Sequence, residues 1–254
     1  MTPGAIDWQL LAPAFLAGLL VLATHVPLGA QVLARGIVFI DLAIAQIAAL
    51  GVIVAGMGDG DPHGWTVQVA AATAALLGAL LLTWTEKRWP KVQEAQIGTL
   101  FVLAATGGLL LLARNPHGGE HLRDLLAGQI LWVSYPQLVL PAIGAVVIVV
   151  LLGTLRERLG RVGFYLVFAL AVTASVQLVG VYLVFASLII PSLATRNHVS
   201  RLKLPIAFAI GAAGYALGLL LSSLFDLPSG ALIVWCLAII AIGVYAAGPK
   251  DAAR

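Results

Sequence analysis

Eight long apolar runs dominate this 254-residue chain and leave few folds open to it. Most of them come close to the roughly 20 residues that a helix needs to cross the hydrocarbon core of a bilayer. Because 61% of the residues are hydrophobic and only 10% are charged, the chain lacks the charged surface of a soluble domain. We therefore predict an all-α, polytopic integral membrane protein that forms a single transmembrane domain over residues 1–254. The runs cover residues 9–33, 37–56, 65–85, 97–113, 130–152, 162–195, 204–223 and 229–247.

The run 162–195 is too long for one ordinary span, and it contains Gly180 and Pro191. If it breaks near Gly180 and turns back, twelve of the fourteen Lys and Arg residues share one side of the membrane. Under the positive-inside rule that split favours about eight spans plus a broken or re-entrant segment. It also predicts an outside N-terminus and a cytoplasmic C-terminus. The twelve are Arg35, Lys87, Arg88, Lys91, Arg156, Arg158, Arg161, Arg196, Arg201, Lys203, Lys250 and Arg254.

Several other classes of protein are disfavoured by what the sequence contains. The net charge of +3 comes from short loops between apolar runs, so it indicates membrane topology and not a nucleic-acid partner. One cysteine, Cys236, cannot form a disulfide framework or a Cys-based metal site. No G-x-x-x-x-G-K-[ST] motif or catalytic constellation is present, so we expect no enzyme activity and no permanently bound cofactor. The first run follows no basic region and no clear cleavage site, so we expect a retained span.

An acid inside an apolar run is the first candidate for function. The stretch VFIDLAIAQIAALG places Asp41 and Gln46 in such a run, and His25 lies in the run before it. Intramembrane carboxylates are costly and typically mark transport pathways. The alternative is an ion pair between Asp41 and Arg35 near the membrane surface. Gln46 lies about 140° around the helix from Asp41, so the two side chains do not share a face. Gln46 and His25 could equally be polar residues that hold helices together.

A second candidate is the polar stretch NPHGGEHLRD, which supplies two imidazoles and two carboxylates. Such nitrogen and oxygen ligands suit zinc or manganese. The alternative is a solvated turn whose acids begin the next helix. GDGDPHG, on the same predicted outer side, is more typical of a turn, and Gly211, Gly214 and Gly218 indicate helix packing. The four residues of the second candidate are His117, Glu120, His121 and Asp124.

Three motifs resemble one protein family in their content and order. R-G-x-x-F-x-D-x-A-x-A-Q-x-A-x-L-G covers residues 35–51, E-A-Q-I-G covers 94–98 and Q-L-V-G-V-Y-L-V-F-A-S-L-I-I-P covers 177–191. The sequence L-F-D-L-P-S-G over 224–230 also fits. The chain is thereby similar, over about residues 10–248, to the permease subunits of ATP-binding-cassette importers for zinc, manganese and iron(II).

The resemblance implies a permease fold like that of the cobalamin importers, in the cytoplasmic (inner) membrane of a bacterium. It implies a permease dimer, a cytoplasmic ATP-binding subunit that hydrolyses ATP, and an extracytoplasmic metal-binding protein. The transported ion would be zinc, with manganese or iron(II) as alternatives. Asp41 would match the family's intramembrane acid on the translocation path.

The sequence departs from the family in two places. Many members have a His four residues after the acid, where this chain has Ala45 followed by Gln46. The family's cytoplasmic segment that docks on the ATPase is also longer than the short linker found here. We expect the ATPase contact in that linker, at Arg156, Glu157, Arg158 and Gly160. The shortening leaves open an ATPase-independent secondary carrier as the alternative function.

Overall fold

The computed structural model describes residues 8–56, 64–112, 126, 128–154 and 160–249, and it is helical. Seven of the described helices are long and apolar enough to cross a membrane, while Ile40–Gly56 and Val181–Ala194 are shorter apolar helices. The predicted all-α polytopic fold is therefore confirmed for the described residues. The helices are α1 (Trp8–Arg35), α2 (Ile40–Gly56), α3 (Trp65–Arg88), α4 (Gln93–Leu112), α5 (Tyr135–Thr154), α6 (Gly160–Val179), α7 (Val181–Ala194), α8 (Ser200–Phe225) and α9 (Ser229–Ala247).

The helices form two bundles that do not follow chain order. In the first bundle, α2 packs against α3 and α4. In the second bundle, α1 packs against α7 and α8, and α9 packs against α8 and α7. Helix α6 contacts both bundles through α3, α2 and α1, and α5 lies against α1 and α6. Thus α1 and α2, although consecutive in the chain, belong to different bundles.

The long apolar run 162–195 is broken at Gly180, as the sequence predicts. Gly180 has a φ of 81°, a backbone conformation that favours glycine, and it separates α6 from α7. The start of α6 lies at the C-terminal end of α1, as the contact between Arg35 and Phe164 shows. The Arg35 guanidinium is 4.0 Å from the centroid of the Phe164 ring. The end of α7 returns to the same place, where Thr195 lines a cavity with Leu33. The segment is therefore a helical hairpin, and its tip at Gly180 lies at the far end.

The turn between α1 and α2 is closed by a glycine cap. Gly36 has a φ of 69°, its N–H donates to Leu33 O, and the next N–H, of Ile37, donates to Val32 O. These two bonds form a Schellman motif, which satisfies the last carbonyl groups of a helix. The cap ends α1 sharply and lets α2 leave for the other bundle, with Asp41 in its first turn.

Basic residues cluster at one end of the bundle, here called the basic end. Three contacts join helix termini there: Arg35 on Phe164, Arg161 with Glu86, and Arg196 with Tyr245. Exposed aromatic side chains mark both ends, as they do at membrane–water interfaces. Trp84 and Trp89 lie at the basic end, and Trp8, Trp65 and Trp132 lie at the other. The basic end contains Arg35, Lys87, Arg88, Lys91, Arg161, Arg196, Arg201 and Lys203.

Candidate functional site

Asp41 is an acid without a partner inside the bundle. Its side chain is 0% exposed, and neither carboxylate oxygen has a hydrogen-bond donor. The guanidinium of Arg35, the expected alternative partner, instead stacks on the ring of Phe164. The position of Asp41 in the first turn of α2 gives only modest support from the helix dipole. A buried carboxyl group that lacks both a cation and donors destabilises the fold, which makes Asp41 a candidate for a functional role.

A second carboxylate, Glu94, approaches the same turn from α4. Its Oε1 accepts a hydrogen bond from the backbone N–H of Phe39 at 3.3 Å, two residues before Asp41. Its Oε2 has no partner and is shielded from solvent. No role for Glu94 is predicted from the sequence, although an acid that opens an apolar span within a family motif is a usable signal. The contact fixes the N-terminus of α4 to the turn that carries Asp41.

His25 lies deeper in the bundle and presents one free ring nitrogen. The residue is 0% exposed, and its Nδ1 lies 3.0 Å from the Val21 carbonyl oxygen. A carbonyl oxygen can only accept, so this hydrogen bond requires the proton on Nδ1. In the neutral ring Nε2 then carries a lone pair, and it has no partner. Such a nitrogen, oriented by a backbone bond through the other ring atom, is a suitable metal ligand.

The three polar residues are spread along the membrane axis. His25 lies ten residues before the end of α1, or about 15 Å along that helix. Asp41 is at the basic end of α2, and Gln46, also buried, is one and a half turns further in. Within the described ranges, no group of three or more His, Cys, Asp and Glu side chains could hold a metal ion. The arrangement fits successive weak contacts along a path, which conduction requires, better than a tight cage.

Other predicted site residues lie partly outside the described part of the chain. Gly160 is described: it is exposed, has a φ of 57° and begins α6. The next residue, Arg161, pairs with Glu86 at the end of α3, so the start of α6 is attached to the first bundle. The predicted residues outside the described ranges are His117, Glu120, His121, Asp124, Arg156, Glu157 and Arg158.

Comparison with known proteins identifies the family. The sequence signature of the ABC 3 transport family matches residues 7–162 and 155–248. The chain belongs to the ABC 3 transport family. The resemblance found in the sequence motifs is thereby confirmed, and family membership favours the importer permease over the ATPase-independent carrier. The two matched segments overlap at residues 155–162, around the linker between α5 and α6.

Individual relatives in this family align with nearly the whole chain. The high-affinity zinc uptake system membrane protein ZnuB of Haemophilus influenzae is 22% identical, over 92% of this chain and 95% of its own length. The manganese transport system membrane protein MntC of Halalkalibacterium halodurans is 26% identical, over 90% and 84%. The solved structure of PsaBC from Streptococcus pneumoniae in complex with Fab has the same fold. It superposes with a TM-score of 0.78 at 19% identity, covering 96% of this chain and 94% of that one.

Proposed function

We propose that this ABC 3 family chain is the permease subunit of an ATP-dependent importer for a divalent transition metal, zinc or manganese. The observation that carries the proposal is the Asp41 carboxylate, buried at the basic end with both oxygens free. Relatives named for zinc and for manganese uptake support the two candidate ions. The chain itself would carry no resident cofactor, since the metal is its cargo and ATP acts through the partner subunit.

The proposed path runs from the outer side towards the basic end. The cluster at 117–124 would receive metal from an extracytoplasmic binding protein. His25 Nε2 and the Gln46 amide would offer neutral ligands in the middle of the membrane. Asp41 would then supply negative charge near the exit, which offsets part of the large cost of dehydrating a divalent cation. Within the membrane, neutral ligands before a single charged one would avoid holding the ion too tightly to release it.

The proposed assembly places the ATPase at the basic end, which the positive-inside rule assigns to the cytoplasm. This orientation puts the N-terminus outside and the C-terminus inside. The expected ATPase contact at 156–160 is adjacent to the Arg161–Glu86 ion pair, which connects it to the first bundle. Glu94 and the Phe39 N–H then connect α4 to the turn before Asp41. Two copies of the permease would pair around the path.

The decisive experiment is uptake into sealed vesicles that contain the purified chain. We expect zinc or manganese uptake only with the cognate ATP-binding subunit, hydrolysable ATP and the metal-loaded binding protein. A non-hydrolysable ATP analogue and an ATPase subunit lacking its Walker lysine serve as controls. Uptake by the chain alone, driven by an ion gradient, would contradict the proposal and restore the secondary carrier. Import of an organic solute with no metal uptake would contradict the cargo assignment.

A further inference from the structure

A second cavity, at the basic end, takes no part in the proposed path. It has a volume of about 260 Å³ and lies where the C-terminal ends of α1 and α7 meet the start of α8. That volume is several times the roughly 30 Å³ occupied by a water molecule, so the cavity can hold a group of several atoms. Two basic side chains, Arg196 and Lys203, line it, and no Asp or Glu is among its lining residues.

The polar groups of this cavity lack an anionic partner. Ser192 is 7% exposed, lines the cavity, and its hydroxyl has no hydrogen-bond partner. Arg196 donates to the Tyr245 hydroxyl at 2.9 Å, and its guanidinium lies 4.9 Å from the centre of that ring. In the described part of the chain neither cation forms an ion pair with a carboxylate; the described ion pair is Arg161 with Glu86. Two cations and a free buried hydroxyl therefore converge without a counter-charge.

Apolar side chains surround the same cavity on the membrane side. Leu204 lines it and is 44% exposed. Leu193 and Phe208, on the same helices α7 and α8 as the lining residues Ser192 and Leu204, also expose apolar surface. A soluble anion would leave these side chains uncovered, whereas a ligand with both a phosphate and hydrocarbon chains would cover them. Cytoplasmic leaflets are rich in anionic lipids, and basic pockets between helices on that side bind their headgroups.

We propose that this cavity binds the phosphate of an anionic phospholipid. Lys203 and Arg196 would hold the phosphate oxygens, and the Ser192 hydroxyl would donate to one of them. Leu193, Leu204 and Phe208 would contact the acyl chains. A lipid held there would join α1, α7 and α8 at the basic end, where the hairpin of α6 and α7 returns.

The test measures lipid retention by the full-length chain in detergent, using native mass spectrometry during titration with phosphatidylglycerol. Each basic residue near a membrane surface contributes about fivefold to affinity. Lys203→Gln should therefore weaken binding about fivefold, and Arg196→Gln with Lys203→Gln about thirtyfold. Ser192→Ala should weaken it without any change of charge. The control is Arg88→Gln with Arg201→Gln, which removes the same charge from basic-end residues outside the cavity.

Three outcomes would overturn the proposal. Equal weakening by the control pair would show general attraction to the basic end and no built site. Retention of inorganic phosphate in place of phosphatidylglycerol would make the ligand a soluble anion. Loss of ATPase-subunit binding in Lys203→Gln, with lipid retention unchanged, would make the cavity a protein contact. Phosphatidylcholine, which has a phosphate but no net charge, should be retained more weakly than phosphatidylglycerol.

Discussion

The two helix bundles of this permease differ in how closely their helices approach. In the second bundle a methyl group added to Gly218 would lie 2.5 Å from Ile233 Cα, and one added to Gly214 would lie 2.6 Å from Leu237 Cδ2. In the first bundle the corresponding approach is looser, since a methyl group added to Gly51 would lie 2.8 Å from Ala70 O. An open apolar groove of about 730 Å³ also lies between α2 and α3. Since lipid removes the hydrophobic drive for helix association, such close contacts are what stabilise a membrane bundle.

The bundles also differ in whether they bury an acid. In the second bundle the Tyr215 hydroxyl bonds to Ser187 Oγ at 2.9 Å, and Ser187 Oγ donates to Leu183 O. In the first bundle Asp41 has neither a donor nor a cation. The unpartnered polar atoms described in the tightly packed bundle, such as His25 Nε2 and Ser192 Oγ, belong to neutral side chains, whereas the looser bundle carries the costly acid. The comparison indicates that stability was given up where we propose that the metal passes.

The largest expected effect is the loss of transport in Asp41→Asn. Asn keeps the shape but removes the charge, so uptake should fall by about a hundredfold or more, equivalent to roughly 3 kcal/mol of lost charge stabilisation. The same change should leave the free energy of unfolding close to its original value, because Asn fills the same space and Asp41 has no hydrogen-bond donor or cation to lose. Vesicle uptake and denaturant unfolding in detergent measure the two effects.

The matched control for that change is Asp226→Asn. Asp226 is exposed, caps α8 and has a φ of 52°, a conformation that Asn also tolerates. Its replacement should leave both uptake and stability close to the original values. If Asp41→Asn lowered stability and uptake together, Asp41 would be a structural residue and the contrast between the bundles would fail.

The next effect tests the tight packing directly, through Gly218→Ala in α8. Its new methyl group would meet the backbone of Ile233, which cannot rotate away, so the unfolding free energy should fall by about 2 to 3 kcal/mol. Gly243→Ala in α9 is the control, since nothing lies within 4 Å of its new methyl group. That control should be neutral or stabilise by about 0.5 to 1 kcal/mol, because Ala favours helices. Equal effects at both positions would remove the evidence for a tightly packed second bundle.

The sequence predicts the spans well because hydrophobic length is a local property. The last run, 229–247, coincides with α9 (Ser229–Ala247), and the break at Gly180 followed from length and the Lys and Arg tally. Gly211, Gly214 and Gly218 were predicted as packing positions, and each would clash with a neighbouring helix if a methyl group were added. These features depend on few residues and on strong physical limits.

The sequence does not predict which helices are neighbours, because every span is apolar on most of its surface. Nothing in α1 indicates that it leaves α2 for α7 and α8. The sequence also does not predict that Asp41 lacks an ion-pair partner. That lack depends on Arg35 stacking on Phe164, a residue more than a hundred positions away. The Glu94 contact with the Phe39 N–H likewise joins two separate spans. Such pairings arise only when the bundle has assembled.

A smaller effect separates the two partners of the buried hydroxyl pair in the second bundle. Because the Ser187 proton goes to Leu183 O, the Tyr215 hydroxyl must be the donor to Ser187 Oγ. Tyr215→Phe then removes one hydrogen bond and should cost about 1 kcal/mol. Ser187→Ala leaves the Tyr215 hydroxyl buried without a partner and should cost about 2 kcal/mol. Unfolding in detergent gives both values, and the reverse order would show that the Tyr215 hydroxyl finds another partner when Ser187 is removed.

The smallest effect concerns the ion pair that joins α6 to the first bundle. Arg161 Nε and Glu86 Oε1 are 3.8 Å apart, and the Arg161 side chain is 58% exposed. Exposed pairs contribute little, so Arg161→Gln should change the unfolding free energy by less than about 0.5 kcal/mol.

If the ion pair between Arg161 and Glu86 transmits ATPase docking to the first bundle, Arg161→Gln should lower ATP-driven uptake at unchanged stability. Lys91→Gln, which removes another charge from the basic end, is the control. A loss of stability as large as that of Gly218→Ala would mean that this pair, and not apolar packing of α3 on α6, holds the looser bundle in place.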